Sequence, residues 1–157
     1  MTIIHDTRDK AGKHENVDNY LMANGHKIIR SKLFVGDVSL LTDQSVCIDL
    51  KCDLQECCGN LAQQHKRFTA ECIRAQENGI KLIVLVEHGG QIKSLESVKN
   101  WVNPRLKVSP YAISGERLYR LMLTYSDKYG VEWRFCDKRT TGRIIVEILG
   151  GERNETD

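Results

Sequence analysis

The pattern of apolar and polar positions predicts that strands and helices alternate along most of the chain. Short apolar runs rich in β-branched residues predict strands, over 2–6, 27–34, 46–51, 80–86 and 131–136. Apolar residues at three- and four-residue spacing predict helices, over 16–23, 53–78, 94–102, 114–129 and 140–149. The run 80–86 is apolar at nearly every position, which is typical of a strand buried on both faces of a sheet.

This order of elements predicts an α/β fold, a three-layer α/β/α sandwich around a mixed β-sheet. The chain of 157 residues fits one domain, expected over 1–150, and 151–157 is expected to be a polar C-terminal tail. No apolar run approaches the ~20 residues needed to span a bilayer. The N-terminus lacks the basic start and apolar core of a signal peptide. We therefore expect a cytoplasmic protein without a membrane partner.

Charge and cysteine content limit the partners and cofactors. The net charge is only +2, so a DNA-binding surface has to be a local basic patch. The six cysteines lack the paired Cys-x-x-Cys spacing of a zinc site, and reduced thiols fit a cytoplasmic chain better than disulfides.

The main candidate chemistry lies in two acidic clusters, Gly36-Asp37-Val38 and Asp49-Leu50-Lys51. The apolar residues and polar turn between them predict an acid at the end of one strand, a hairpin, and an acid-x-lysine triplet on the next strand. Residues two apart on a strand point to the same face, so Asp49 and Lys51 project together, and a hairpin can bring Asp37 beside them. Two carboxylates and a lysine can hold a divalent cation and activate a water, as in a metal-dependent phosphodiesterase. The alternative is that these are ordinary polar residues on the solvent face of a strand.

Two flanking segments could contact a phosphate. Arg8 follows Asp6 at the end of the first predicted strand, and the fork of a guanidinium suits a phosphate. Arg67 lies on the long predicted helix, four residues before Glu71. The alternative for this second pair is a solvated i,i+4 ion pair on the helix surface.

In order and spacing, these motifs resemble the XPF-type (Hef-like) nuclease domain, a branch of the PD-(D/E)xK endonuclease superfamily with a restriction-endonuclease-like fold. The resemblance covers about 2–88 and rests on five motifs in register, Asp6-Thr7-Arg8-Asp9, Gly36-Asp37-Val38, Asp49-Leu50-Lys51, Lys66-Arg67-Phe68-Thr69-Ala70-Glu71 and Leu85-Val86-Glu87. The chain departs from the family pattern in three places: Asp49 replaces a glutamate, Leu50 an arginine, and Gln55 an aspartate that the family often has.

The resemblance implies a DNA endonuclease that uses Mg²⁺, with Mn²⁺ as a substitute, on branched or flap DNA. Asp37, Asp49 and the backbone carbonyl of Leu50 are the expected metal ligands, and Lys51 is expected to orient or help deprotonate the attacking water. The expected supporting residues are Arg8 and Arg67 for DNA phosphates, and Asp6 and Glu56 in the outer shell of the site.

Two other functions remain open at this stage. One is a catalytically degenerate DNA-binding or dimerisation module of the same fold. The other is a homodimeric resolvase of four-way junctions, and the helix predicted at 114–129 or 140–149 would supply the dimer surface. A compact nuclease of this kind also resembles a phage protein. If it is phage-encoded, the expected location is the cytoplasm of a bacterial host.

Overall fold

A computed structural model describes residues 1–154, and its centre is a mixed six-stranded β-sheet. The strands, in chain order, are β1 (Thr2–His5), β2 (Lys27–Arg30), β3 (Val38–Leu40), β4 (Val46–Lys51), β5 (Lys81–Val86) and β6 (Glu132–Phe135). Their order across the sheet is β2-β1-β3-β4-β5-β6. β3 runs antiparallel to both of its neighbours, whereas the other neighbouring strands are parallel. The carboxyl ends of β1, β4 and β5 therefore lie at the same edge, where ligands commonly bind in α/β sheets.

Helices cover both faces of this sheet. They are α1 (Glu15–Ala23), α2 (Leu54–Cys58), α3 (His65–Glu77), α4 (Gly115–Tyr129) and α5 (Thr141–Asn154). Successive side chains of β5 enter two separate apolar cores in strict alternation. One core is completed by α2, α3 and α4, and the other by α1 and α5. The predicted three-layer α/β/α sandwich with a mixed sheet is confirmed.

The second layer depends on a close contact between α1 and α5. Gly142 lies against the ring of Tyr20, and a Cβ built at Gly142 would lie 2.7 Å from a ring carbon. Any larger residue at position 142 would therefore push the two helices apart.

The predicted single helix over 53–78 is wrong, because the segment is interrupted. α2 ends at Cys58, a π-helical turn spans Gly59–Gln63, and α3 begins at His65 after Gln64 leaves helical geometry (φ −112°, ψ 30°). Gly59 and Asn60 are poor helix formers at the place where the regular bonding stops. Residues of the interruption and of the start of α3 lie around the same cleft as the carboxyl end of β4.

The segment before the hairpin also differs from the prediction. β2 ends at Arg30 and not at residue 34, and Asp37 lies just before β3, not at the end of a strand. The backbone of Leu33 bonds to side chains in place of a strand: its N–H donates to Asp6 (2.6 Å) and its carbonyl accepts from Arg8 (2.8 Å). Side-chain bonding of this kind competes with a sheet ladder.

The remaining elements follow the predictions with shifted ends. The helix predicted at 94–102 is a 3₁₀ turn over Glu96–Asn100, and a second 3₁₀ turn, Pro104–Lys107, lies in the expected loop. α5 continues to Asn154, past the predicted end at 149, and residues 155–157 of the predicted tail lie outside the described part of the chain. All six cysteines are free thiols, as expected. Within residues 1–154 no helix has the length and apolar content needed to cross a bilayer.

Candidate active site

The acid-x-lysine triplet forms a buried ion pair at the carboxyl end of β4. The ammonium of Lys51 donates to both carboxylate oxygens of Asp49, at 2.9 and 2.7 Å. Both residues are buried, with exposed fractions of 8% and 5%. They project toward α3, as the two-residue period predicts, while Leu50 between them enters the core under α1 and α5.

Asp37 is held against this pair by the backbone of β4. Its N–H donates to the carbonyl of Ile48, and its Oδ2 accepts from the N–H of Leu50, both at 2.8 Å. The turn before it requires Gly36, which has φ +76° and would place a Cβ 3.0 Å from the Ile48 carbonyl oxygen. The expected meeting of Asp37 with Asp49 and Lys51 is therefore present, although Asp37 enters from the opposite end of its strand.

The proximity of Asp49 affects the protonation of Asp37. Burial and then the neighbouring Asp49 raise the pKa of the Asp37 carboxyl well above its usual value. Burial lowers the pKa of the Lys51 ammonium, but the attraction and hydrogen bonds of Asp49, with smaller contributions from Asp37 and Glu56, together raise it above its usual value. A close pair of carboxyl groups needs either a shared proton or a cation between them.

A third carboxylate, Glu71 on α3, completes the cluster, and the sequence analysis missed its role. Its Oε1 accepts a 2.8 Å hydrogen bond from the N–H of Gly36, and burial and then Asp49 raise its pKa. In one of the two interpretations from the sequence, Glu71 formed a solvated ion pair with Arg67, and in the other it had no stated role. A sign of the actual orientation was available, because Glu71 shares the buried side of the helix with Phe68 and Cys72.

These side chains lie in a cleft between β4 and the start of α3. The residues that line it include the three carboxylates and Lys51, together with Arg8, Lys13, Leu50, Glu56, Asn60, Gln64 and Arg67. The π-helical turn and the first turn of α3 form one wall, so the break in the predicted long helix shapes the cleft.

Arg8 and Asp6 form a rigid unit at its edge. The guanidinium of Arg8 donates through Nε and Nη2 to both oxygens of Asp6, at 2.9 and 2.8 Å. Although burial would raise it, the contacts with Arg8 and with the Leu33 N–H hold the pKa of Asp6 below its usual value. The carboxylate of Asp6 thus accepts hydrogen bonds from Arg8 and Leu33, while the side chain of Arg8 remains about half exposed in the cleft. Asp6 therefore orients Arg8.

The other predicted residues also lie along the cleft. Arg67 is exposed and makes no hydrogen bond or ion pair with any described residue, so its charge is available to a ligand. Glu56 accepts a hydrogen bond from the Cys52 N–H at 3.0 Å and its charge helps to raise the pKa of Lys51. Glu87, by contrast, lies on the other side of the sheet, where it accepts a 2.6 Å hydrogen bond from Thr141.

The donor set at this site fits a hard divalent cation. Asp37, Asp49 and Glu71 supply carboxylate oxygens, the ligands that Mg²⁺ and Mn²⁺ prefer. Because the N–H of Leu50 points at Asp37, the carbonyl of the same strand residue faces the same side and can add a fourth oxygen. Lys51 contacts both oxygens of Asp49, so a cation would have to displace it from one of them.

Comparisons with known proteins identify the fold. No protein-family model matches the sequence, and no curated protein matches it. Among solved structures, XPF from Aeropyrum pernix is similar over 99% of this chain and 68% of its own, with 20% sequence identity and a TM-score of 0.68. The same XPF in complex with DNA is similar over 98% of this chain and 66% of its own, with 18% identity and a TM-score of 0.67. The chain therefore has the XPF-type fold that the five motifs predicted.

Proposed function

We propose that this protein is a metal-dependent endonuclease that hydrolyses phosphodiester bonds in DNA. The observation that carries the proposal is the convergence of Asp37, Asp49 and Lys51 at a cleft that also contains two arginines. Buried charges of this kind cost desolvation energy, and apolar residues of similar size would usually stabilise a fold at least as well. Their presence in one cleft favours a chemical role.

Asp37, Asp49 and the carbonyl of Leu50 would hold the cation, with Glu71 as a further oxygen ligand beside them. When bound, Mg²⁺ or Mn²⁺ lowers the pKa of a coordinated water and offsets the charge that develops on the phosphate. Glu71 is a better candidate ligand than Glu56, which was expected in the outer shell, because Glu71 contacts Gly36 beside Asp37 whereas Glu56 contacts Cys52.

Lys51 would act as a charge and a hydrogen-bond donor. Its raised pKa keeps the side chain an ammonium at neutral pH, so it is poorly suited to accept a proton. Of the two roles expected from the sequence, orienting the attacking water is thus favoured over deprotonating it. The ammonium would also stabilise the negative charge of the pentavalent phosphorane.

The two arginines would position the DNA backbone. Arg8 is fixed by Asp6 at one side of the cleft, and Arg67 stands free on the helical wall. Guanidinium groups bind phosphates through two parallel N–H bonds, which fix the register of the strand without reading its sequence.

DNA as the substrate is supported by the fold of an XPF that was solved in complex with DNA. The finer proposal is a branched substrate, a flap, a fork or a four-way junction. A catalytically degenerate binding module is less consistent with the site, since both aspartates and the lysine are retained and in contact. A junction resolvase shares the chemistry and requires a homodimer, which sedimentation at the assay concentration detects.

A cleavage panel tests the proposal. Labelled single-strand, flap, fork and four-way-junction DNAs are incubated with the protein and Mg²⁺, Mn²⁺ or EDTA. We expect cleavage of at least one branched DNA with either metal, none with EDTA, and none by Asp37→Ala protein. Asp127→Asn, which changes an exposed acid on α4, is the matched control and should cleave normally. Tight binding of branched DNA without cleavage of any substrate would instead establish the binding module.

A further inference from the structure

A second cluster of ligating side chains borders the cleft and lies on the α1 and α5 side of the sheet. It consists of His5 at the end of β1, Asp9 in the following turn and His14 just before α1. All three side chains are at least 95% buried. One ligand atom from each lies within 4.8 Å of the others, and within residues 1–154 no other group of His, Cys, Asp or Glu meets that criterion.

The two imidazoles converge on the same oxygen. Nε2 of His5 lies 2.8 Å and Nε2 of His14 lies 3.0 Å from Oδ2 of Asp9. Nε2 of His14 is also the one buried side-chain nitrogen or oxygen of the described residues that has no hydrogen-bond partner. This nitrogen is within ion-pair distance of Asp9 but makes no hydrogen bond to it, and a buried polar group without a hydrogen bond is costly unless something else binds it.

The opposite nitrogen of each ring faces a further carboxylate. Nδ1 of His5 lies 3.2 Å from Oδ1 of Asp18, and Nδ1 of His14 lies 3.9 Å from Oε1 of Glu87. Glu87 is itself fixed by the hydroxyl of Thr141. Histidines that bind metals typically present the second ring nitrogen to a carboxylate in this way, which fixes the tautomer and strengthens the ligand.

From this geometry we propose that His5, Asp9 and His14 form a zinc site that is separate from the magnesium site in the cleft. Two imidazoles and one carboxylate suit Zn²⁺, whereas Mg²⁺ requires mostly oxygen ligands. Bond lengths of about 2.0–2.1 Å in a tetrahedral site place ligand atoms about 3.3 Å apart, so the pairs on Asp9 need to open by about half an ångström or less. Asp9 also lines the cleft, and three protein ligands would leave the fourth position of a tetrahedral Zn²⁺ to water.

Such a site would fix the segment that carries Arg8. The ligands join the end of β1 to the start of α1, and the carboxylates behind them belong to α1 and to the end of β5. Zinc would therefore stabilise the protein without taking part in cleavage.

Zinc titration of protein stripped with EDTA tests the proposal. The titration uses the full chain carrying Asp37→Asn and Asp49→Asn, so that the cleft cannot supply the signal. We expect one Zn²⁺ per chain, and Co²⁺ in its place should give the intense visible absorption of a tetrahedral site. His14→Gln and Asp9→Asn should each weaken binding by more than the 10–100-fold typical of an outer-shell change, and Asp18→Asn should weaken it by about 10–100-fold. His65→Gln, an exposed histidine on α3, is the matched control and should bind normally.

Absence of stoichiometric zinc would overturn the proposal, and so would a zinc affinity of His14→Gln and Asp9→Asn equal to that of the parent protein. The cluster would then be two imidazoles ion-paired to Asp9. If those variants do not fold, imidazole ¹H–¹⁵N NMR of the parent protein replaces them. Zinc should shift the Nε2 resonances of His5 and His14 and leave His65 unchanged, and any other pattern contradicts the site. Zinc binding by a chain that lacks Asp37 and Asp49 is independent of DNA cleavage, so either proposal can fail alone.

Discussion

At the scale of single residues, the site is an arrangement that weakens the fold when no cation is bound. Asp37 and Asp49 are forced together by the Leu50 and Ile48 backbone, and Lys51 neutralises only one of them. Active sites commonly hold such unfavourable pairs, and removing one member stabilises the protein at the expense of its activity.

Replacing Asp37 by Asn should therefore raise the stability of the metal-free protein. Because the folded-state pKa of Asp37 is raised, its contribution to stability is present below the usual aspartate pKa and is lost as the pH rises through the folded value. The variant keeps a neutral side chain at every pH. We expect it to be more stable than the wild type at pH 8 by at least about 1 kcal/mol, the equivalent of one pKa unit, and the gain should shrink at pH 4.

Urea unfolding at the two pH values, in EDTA, measures this difference. Asp127→Asn is the control for loss of an exposed carboxylate and should shift stability by less than about 0.5 kcal/mol. A variant that is less stable than wild type at pH 8 would show that the two aspartates do not repel each other.

The sequence identified most of these residues, for a physical reason. Asp49 and Lys51 are two apart on one strand, so their common direction follows from local geometry. Asp37 is brought in by a hairpin of short loop length, which is also a local feature. Glu71 comes from a helix 20 residues after Lys51 in the sequence, and its orientation depends on packing that spacing alone does not specify.

At the scale of elements, the turn before β3 and the interrupted helix place the cleft residues. The turn depends on the left-handed conformation of Gly36, and α3 begins only after the π-helical turn. π-helical turns within helices are frequently found at functional sites. The sequence contained the weak helix formers Gly59 and Asn60, but the apolar spacing continued across them, so one long helix was predicted.

Gly36→Ala should disturb both stability and cleavage. Alanine is strained at the positive φ of position 36, and its Cβ would lie close to the Ile48 carbonyl oxygen. The same oxygen accepts the hydrogen bond that fixes Asp37. We expect a loss of about 2–3 kcal/mol in unfolding free energy and a reduced cleavage rate.

Gly25→Ala separates the two causes, since Gly25 has φ +81° but a Cβ at this position would have no heavy atom within 4 Å. It should lose only about 1 kcal/mol and cleave DNA at the wild-type rate. Equal losses for the two variants, measured by denaturant unfolding, would show that the contact with β4 is unimportant.

At the scale of the whole molecule, two charged regions lie at the carboxyl edge of the sheet and meet at Asp9. The cleft opens on the α3 side at the carboxyl end of β4, and the histidine cluster lies on the α1 and α5 side at the carboxyl ends of β1 and β5. The order of motifs predicted this fold because three of the five motifs lie at the carboxyl ends of β1, β4 and β5, which meet at one edge of the sheet. The histidine cluster was not predicted, since the sequence gives no sign that the segment after β1 folds back and brings Asp9 and His14 against His5. The apolar faces of α4 and α5, the helices expected to supply a dimer surface, pack inward in the two cores.

Because the net charge is only +2, DNA binding should depend on a few positively charged side chains in the cleft. Arg67→Ala should weaken binding of all DNA sequences alike and reduce the slope of log affinity against log salt by about 1, as expected for one lost phosphate contact. Fluorescence anisotropy at several salt concentrations, in Ca²⁺ to prevent cleavage, measures the slope. Arg117→Ala on the exposed side of α4 should leave the slope unchanged, and a similar change in both variants would place the DNA elsewhere.

The most direct test of the central claim is the single-turnover rate of flap-DNA cleavage in Mg²⁺ by wild-type, Asp49→Asn and Asp127→Asn proteins. Asp49 accepts both hydrogen bonds of the Lys51 ammonium and is also a proposed ligand of the cation. We expect the Asp49→Asn rate to fall by at least about 10³-fold while the protein stays folded, since the substitution removes a metal ligand and the partner of the ammonium. The Asp127→Asn rate should equal that of the wild type. Cleavage by folded Asp49→Asn protein at the wild-type rate would contradict the assignment of this cleft as the active site.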